Sequence, residues 1–141
     1  MTTDRITLNL TEQDNRLLTS ARAEDGLPAT ERLRASLQLW AQDQTFRHRI
    51  DRLAADLRHG RLTEPVVERP VKVTVVLGQD LRRELAYARA TDGLPATERI
   101  RAALQLWSQE TDIRERIDQL AGELRRGRYA RTTMPAAVHP R

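Results

Sequence analysis

The sequence predicts a mainly α-helical fold that contains a two-stranded antiparallel β-ribbon. The first observation is a tandem repeat: ARAEDGLPATERLRASLQLWA at 21–41 returns as ARATDGLPATERIRAALQLWS at 88–108, with 17 of 21 aligned positions identical. The second is a short alternating segment before each copy, which is typical of a strand. Each strand lacks a partner within its own copy, so we expect the two to pair antiparallel with each other.

The size of the repeat unit predicts one shared core. Each unit spans about 57 residues, which is close to the lower limit for a domain that folds alone. We therefore expect the two units to pack together as one pseudo-symmetric domain.

Composition limits the function further. The chain has 141 residues and a formal net charge of +4, and all of its basic residues except Lys72 and three histidines are arginine. The positive charge has two interpretations, an anionic partner or a genome rich in arginine codons. The absence of cysteine excludes disulfides and thiolate chemistry. Because the sequence has neither an apolar run of about 18 residues nor a signal-peptide pattern, we expect a cytoplasmic protein.

The strand segments have two different faces. Residues 5–10 read RITLNL, and the aligned residues 72–77 read KVTVVL. Alternation places apolar side chains on an inner face over the helices: Ile6, Leu8 and Leu10 against Val73, Val75 and Leu77. The outer face then carries Arg5, Thr7 and Asn9 beside Lys72, Thr74 and Val76.

Three helical segments follow each strand. Thr11 is a suitable N-cap for a first helix over about 12–24, and Gly26 suits the left-handed residue that ends it. Pro28 fits the first turn of a second helix. The main core stripe of the second helices is Leu33, Leu37 and Trp40, repeated as Ile100, Leu104 and Trp107.

The apolar stripe changes phase near residues 43–45, which indicates a third helix, capped by Asp43 or Thr45, or a kink. Its stripe is Phe46, Ile50, Leu53 and Leu57, matched by Ile113, Ile117, Leu120 and Leu124. The stripe either extends the core or forms a surface for a second molecule.

The boundaries follow from glycine, proline and loss of periodicity. We expect Gly60 and Gly127 to end the third helices. The predicted organisation is a first unit at 1–60, a linker at 61–70, a second unit at 71–127 and a flexible tail at 128–141.

This ordered combination resembles the ribbon-helix-helix superfamily of DNA-binding proteins, the Arc, MetJ and CopG type. The resemblance covers about residues 4–40 and 71–107, and it is carried by the alternating RITLNL, the polar Thr11-Glu12 opening and the Gly26-Leu27 turn. Two chains usually supply the two strands in that family. The chain therefore resembles a fused pseudo-dimer of ribbon-helix-helix units, each with an extra third helix or helix extension.

The resemblance implies which residues bind DNA. The ribbon would enter the major groove, where arginine or lysine can bind guanine, asparagine can bind adenine and threonine can contact either type of base. The second-helix N-termini would bind phosphates. Val76 has two interpretations, a contact with a thymine methyl or a weaker reading of sequence by the second copy. The implied base-reading residues are Arg5, Thr7, Asn9, Lys72, Thr74 and Val76, and the implied phosphate-binding residues are Ala29, Thr30, Ala96 and Thr97.

We therefore expect a sequence-specific double-stranded DNA-binding protein, most simply a transcriptional repressor associated with the nucleoid. The alternatives are a plasmid or conjugation accessory factor, or an antitoxin or other interaction module that binds a protein through its third helices or its tail. Self-association of pseudo-dimers on DNA is a further expectation. We expect no enzyme activity and no cofactor, because no nucleophile motif or phosphate loop occurs and His48, His59 and His139 lack ligand partners at metal spacing.

Overall fold

The computed structural model describes residues 5–62 and 71–133, and this part of the chain is mainly helical. A strand comes first in each half and three helices follow it. In the first half these are β1 Arg5–Leu10, α1 Glu12–Asp25, α2 Ala29–Gln42 and α3 Gln44–Leu62. In the second half they are β2 Val71–Val76, α4 Gln79–Asp92, α5 Ala96–Gln109 and α6 Thr111–Thr133.

The predicted ribbon is confirmed. Strands β1 and β2 pair antiparallel, with Arg5 opposite Val76 and Leu10 opposite Val71. The inner face lies against the helices, because Leu8, Leu10 and Val75 are fully buried, as is Leu77 just beyond the strand. Each strand contacts the second helix of the other half, β1 against α5 and β2 against α2.

The first helix begins and ends as its sequence predicts. The Thr11 hydroxyl accepts a hydrogen bond from the Asp14 amide at 3.1 Å, which caps α1. Gly26 has a φ of 78° and ends the helix in the left-handed region that glycine adopts without strain. Pro28 differs by one position, since it is the N-cap of α2 and lies outside the first turn. Its fixed φ fits the extended backbone of a cap equally well.

A separate third helix is also confirmed. The break after α2 is the single residue Asp43, whose backbone is extended. Its carboxylate accepts a hydrogen bond from the Phe46 amide at 3.0 Å, so Asp43 caps α3 and Thr45 does not.

The prediction that Gly60 and Gly127 end the third helices is wrong. Helix α3 continues to Leu62 and α6 continues to Thr133. A glycine without a left-handed backbone only lowers helix stability, by about 1 kcal/mol relative to alanine, and does not by itself end a helix. The first residues of the predicted linker and tail are therefore helical, and the rest of both, 63–70 and 134–141, lies outside the described residues.

The core combines both halves. The predicted stripe of Leu33, Leu37 and Trp40 is buried, and so is its counterpart in α5. Helix α2 packs on α5, while α3 crosses to α5 and α6 crosses to α2. The third-helix stripe belongs to this core. Its first two members in each half are buried: Phe46 and Ile50, and Ile113 and Ile117. Its four leucines are partly buried and pack against the core: Leu53, Leu57, Leu120 and Leu124. Self-association through these helices stays a prediction.

Candidate nucleic-acid interface

The outer face of the ribbon carries all six predicted base-reading side chains. Each of them is exposed: Arg5, Thr7, Asn9, Lys72, Thr74 and Val76. The pairing places Thr7 opposite Thr74 at the centre, and their hydroxyls lie 3.4 Å apart. Either threonine can donate this hydrogen bond, and both hydroxyls keep further capacity to bond outward.

The spacing and charge of this face suit the major groove. Side chains on one face of a strand recur every two residues, about 6.8 Å, which is close to two steps along a DNA strand. The face carries the two cations Arg5 and Lys72 at diagonally opposite ends and no acid. A face of this kind can approach a polyanion and still hydrogen-bond to base edges.

The two ends of the ribbon differ chemically. One end pairs Arg5 with Val76, and the other pairs Asn9 with Lys72. Alignment of the repeats places Val76 where the first copy has Asn9. Val76 is 47 % exposed and is the one apolar side chain on this otherwise polar face. The ribbon is therefore nearly symmetric in backbone and asymmetric in donors.

The predicted phosphate-binding positions lie at the starts of α2 and α5. Ala29, Thr30, Ala96 and Thr97 are all half-buried. Neither Pro28 nor Pro95 caps its helix with a side-chain hydrogen bond. The first backbone amides of both helices therefore have no side-chain cap, and such amides favour anions.

A buried arginine network lies behind these helix starts. Arg32 and Arg99, the same position in the two repeats, are each only 1 % exposed. Arg32 donates to the Leu27 carbonyl at 3.0 Å and also pairs with Asp25. Its Nε donates to Asp118 of α6 at 3.0 Å. One guanidinium thus joins the turn before α2 to a helix of the other half.

The second arginine makes the reciprocal contacts. Arg99 donates to the Leu94 carbonyl at 2.7 Å and to Asp92 at 2.6 Å, and it forms an ion pair with Asp51 of α3 at 3.2 Å. Both linking aspartates also accept a tryptophan Nε1–H at 2.8 Å, Asp51 from Trp40 and Asp118 from Trp107.

Each arginine also lies near the tryptophan ring of the other half. The guanidinium carbon of Arg32 is 5.7 Å from the centre of the Trp107 ring, and that of Arg99 is 5.4 Å from the centre of the Trp40 ring. Cation–π attraction therefore adds to the ion pairs that join the two halves. The predicted packing role of both tryptophans is confirmed by their burial.

Sequence reasoning missed this network because arginine and aspartate on helices usually face solvent. A usable signal was present, since both arginines and all four aspartates recur at the repeat offset of 67 residues: Arg32 and Arg99, Asp25 and Asp92, Asp51 and Asp118. The network holds the turn and the first residues of α2 and α5, so it fixes the candidate phosphate-binding amides relative to the ribbon.

Two aspartates predict how stability depends on pH. Burial opposes ionisation of Asp25, but hydrogen bonds from the Leu27 amide and Arg32 outweigh it and lower its pKa. The hydrogen bond from Arg116 is the main cause that lowers the pKa of Asp43. Their stabilisation is therefore complete above about pH 4 and is lost as the pH falls through their lowered pKa values. Asp14 acts in the opposite direction, since burial raises its pKa.

We expect the free energy of unfolding, measured by urea denaturation, to decrease from pH 5 to pH 2.5. Asp25→Asn should reduce this dependence, and Asp56→Asn, at an exposed site on α3, should not. An Asp25→Asn chain whose stability changes with pH as steeply as the parent would contradict the assignment.

Within residues 5–62 and 71–133, no group of three or more histidine, aspartate or glutamate side chains could hold a metal ion. Among the helices of the same ranges, none is long and apolar enough to cross a membrane.

Comparison with protein-family models, curated proteins and solved structures finds no match for this chain.

Proposed function

We propose that the chain is a sequence-specific double-stranded DNA-binding protein that inserts its β-ribbon into the major groove. The observation that carries the proposal is the outer face of the ribbon. Its six side chains are exposed, none of them is acidic, and the inner face of the same two strands is packed in the core. The major groove admits a two-stranded ribbon, and the side chains present are those that bind base edges. Regulation of transcription, by occluding a promoter, is the simplest role for such a protein.

We further propose that the chain acts as a fused pseudo-dimer of ribbon-helix-helix units. Three reciprocal features support this arrangement. The strands pair in the register that places Thr7 opposite Thr74, the third helices cross to the opposite second helices, and the Arg32 and Arg99 networks repeat each other. A two-fold relation through the threonine pair accounts for all three.

The roles of individual residues follow from this arrangement. Arg5 and Lys72 donate to guanine, Asn9 binds adenine and the central threonines contact bases of either type. The open amides at Ala29 and Ala96, with the hydroxyls of Thr30 and Thr97, bind phosphates on both sides of the groove and fix the register.

Selection from a randomised duplex pool tests the function. We expect the full chain to enrich one motif that survives an increase from moderate to physiological salt. Retention without enrichment that decreases steeply with salt would indicate non-specific phosphate binding. Absence of retention would contradict DNA binding and favour a protein-interaction module.

The asymmetric ribbon predicts an asymmetric site. Because only one end carries asparagine, the enriched motif should lack two-fold symmetry at its core. Val76→Asn restores an asparagine at the other end and should shift the enriched motif towards a palindrome. Asn9→Val also makes the two ends alike, but by removing the asparagine contact, so it should relax preference at one position and add no new preferred base. A strictly palindromic core bound by one parent molecule would contradict this prediction.

A further inference from the structure

Two aligned arginines outside the buried network lie on the one side of the second helices that is not buried. Between Glu31 and Trp40, every residue of α2 is buried except Arg34 and Gln38. The same stretch of α5 repeats this pattern, with Arg101 at the position of Arg34. Since α2 packs on β2 and α5 packs on β1, each arginine belongs to the helix that supports one strand of the ribbon.

Arg101 has partners in the first half. Its Nη2 donates to the Asn9 carbonyl at 3.3 Å, so it contacts the backbone of a candidate base-reading residue. Its positive charge also acts on Asp14 of α1, where it opposes the effect of burial on the carboxyl pKa. The guanidinium thus donates to a strand carbonyl and lies close enough to an acid to influence its ionisation.

Arg34 lacks both of these partners. The repeat offset places the apolar Leu81 where Arg101 has Asp14. Val76 takes the place of Asn9 and still offers a backbone carbonyl, but Arg34 donates no hydrogen bond to it, unlike Arg101 to Asn9. Among the described residues, Arg34 makes no ion pair and no side-chain hydrogen bond. Its Nε is buried without an acceptor, as is the Nε of Arg101, so the two arginines differ in the Nη2 contact that Arg101 makes. Burial lowers the pKa of its guanidinium, with no acid to oppose the effect. A half-buried arginine without an acid has its planar donors free for an anion.

The surroundings of Arg34 favour a phosphate as that anion. Thr30 lies one turn before Arg34 on the same side of α2, so the hydroxyl and the guanidinium follow each other from the open helix start. Arg5 is paired with Val76 at the matching end of the ribbon. This end therefore has two cations, as the other end does, but one hydrogen-bonding base reader fewer.

We propose that the two aligned arginines have separate functions in DNA binding, with Arg34 binding a backbone phosphate beside β2 and Arg101 positioning Asn9 for base reading. This inference rests on the proposed function. It explains how the Val76 end of the ribbon, which lacks an asparagine, contributes to affinity, while the Asn9 end contributes more of the sequence preference.

The test compares Arg34→Gln and Arg101→Gln in the full chain on the duplex that the pool selection enriches. Affinity is measured from 50 to 300 mM KCl, together with every single-base variant of the site. Arg34→Gln should weaken binding to all duplexes by a similar factor and reduce the slope of log affinity against log salt by about 0.9. Arg101→Gln should reduce adenine preference at the Asn9 position about tenfold and change the slope less than Arg34→Gln does.

Conservative variants and a charge control keep the test decisive. Arg34→Lys should recover the salt slope, and Arg101→Lys should recover the base preference. Arg52→Gln removes the same charge from an exposed site on α3 and should change the slope less than Arg34→Gln does. Two results would overturn the inference. One is an equal change in salt slope for Arg34→Gln and Arg101→Gln with the base preference of Arg101→Gln intact, and the other is an unchanged salt slope for Arg34→Gln. Either result leaves the proposed function intact, because the parent chain still binds its selected site. A parent chain that enriches no motif overturns both the inference and the proposed function.

Discussion

Replacing Asp118 with alanine is expected to remove about 3 kcal/mol of the free energy of unfolding, the largest loss of stability that we expect from truncating a single polar side chain of this protein. Asp118 accepts hydrogen bonds from Arg32 of the other half and from Trp107 of its own half. Its loss leaves a fully buried guanidinium with one acid fewer and a buried indole N–H without its acceptor. Urea denaturation at pH 7 measures the change.

The repeat supplies matched controls for this prediction. Asp51→Ala breaks the reciprocal contacts to Arg99 and Trp40 and should destabilise the chain by a similar amount. Asp56→Ala, on the exposed side of α3, should change stability by less than about 0.5 kcal/mol. Equal effects of Asp118→Ala and Asp56→Ala would show that the network contributes little to the contact between the halves.

The Arg5→Ala/Asn9→Ala double variant is expected to lose on the order of 100-fold in affinity for the selected site, about 3 kcal/mol or more. Both side chains are exposed on the ribbon, so their removal should leave the unfolding transition unchanged. Arg5→Ala alone should lose roughly 1 to 3 kcal/mol and change preference at one base pair. Fluorescence anisotropy with selected and scrambled duplexes measures both effects.

A control for the double variant lies on α1. Gln13→Ala/Arg16→Ala removes one amide and one arginine from exposed positions on α1 and should reduce affinity only a few-fold, through net charge. A double ribbon variant that weakens selected and scrambled duplexes by the same factor would make Arg5 and Asn9 phosphate contacts, contrary to their assignment as base readers.

The fold was predictable where one periodicity dominates. Strict alternation predicted β1, alignment of the repeat predicted β2, and the lack of a partner within either copy predicted that the two strands pair. The αL glycine at Gly26 and the capping threonine at Thr11 predicted α1 within one residue. Gly60 misled because glycine ends a helix only where the backbone turns left-handed, and no residue type reports that by itself.

The candidate site was predictable only in part. Alternation predicted which side chains point outward, and all six are exposed. It did not reveal the buried Arg32 network, because an ion pair between residues 86 positions apart leaves no local pattern. Arg34 and Arg101 were hidden for the same reason, since only the packing of α5 on β1 brings Arg101 to Asn9. That the outer face binds DNA remains a prediction.

Backbone amide chemical shifts of the ¹⁵N-labelled chain, recorded during titration with the selected duplex, test the central claim most directly. If the ribbon enters the major groove, the largest changes will lie in residues 5–9 and 72–76, followed by the first turns of α2 and α5. The exposed sides of α3 and α6 will change little. Changes centred on α3 and α6, with the ribbon amides unmoved, would contradict insertion of the ribbon into DNA.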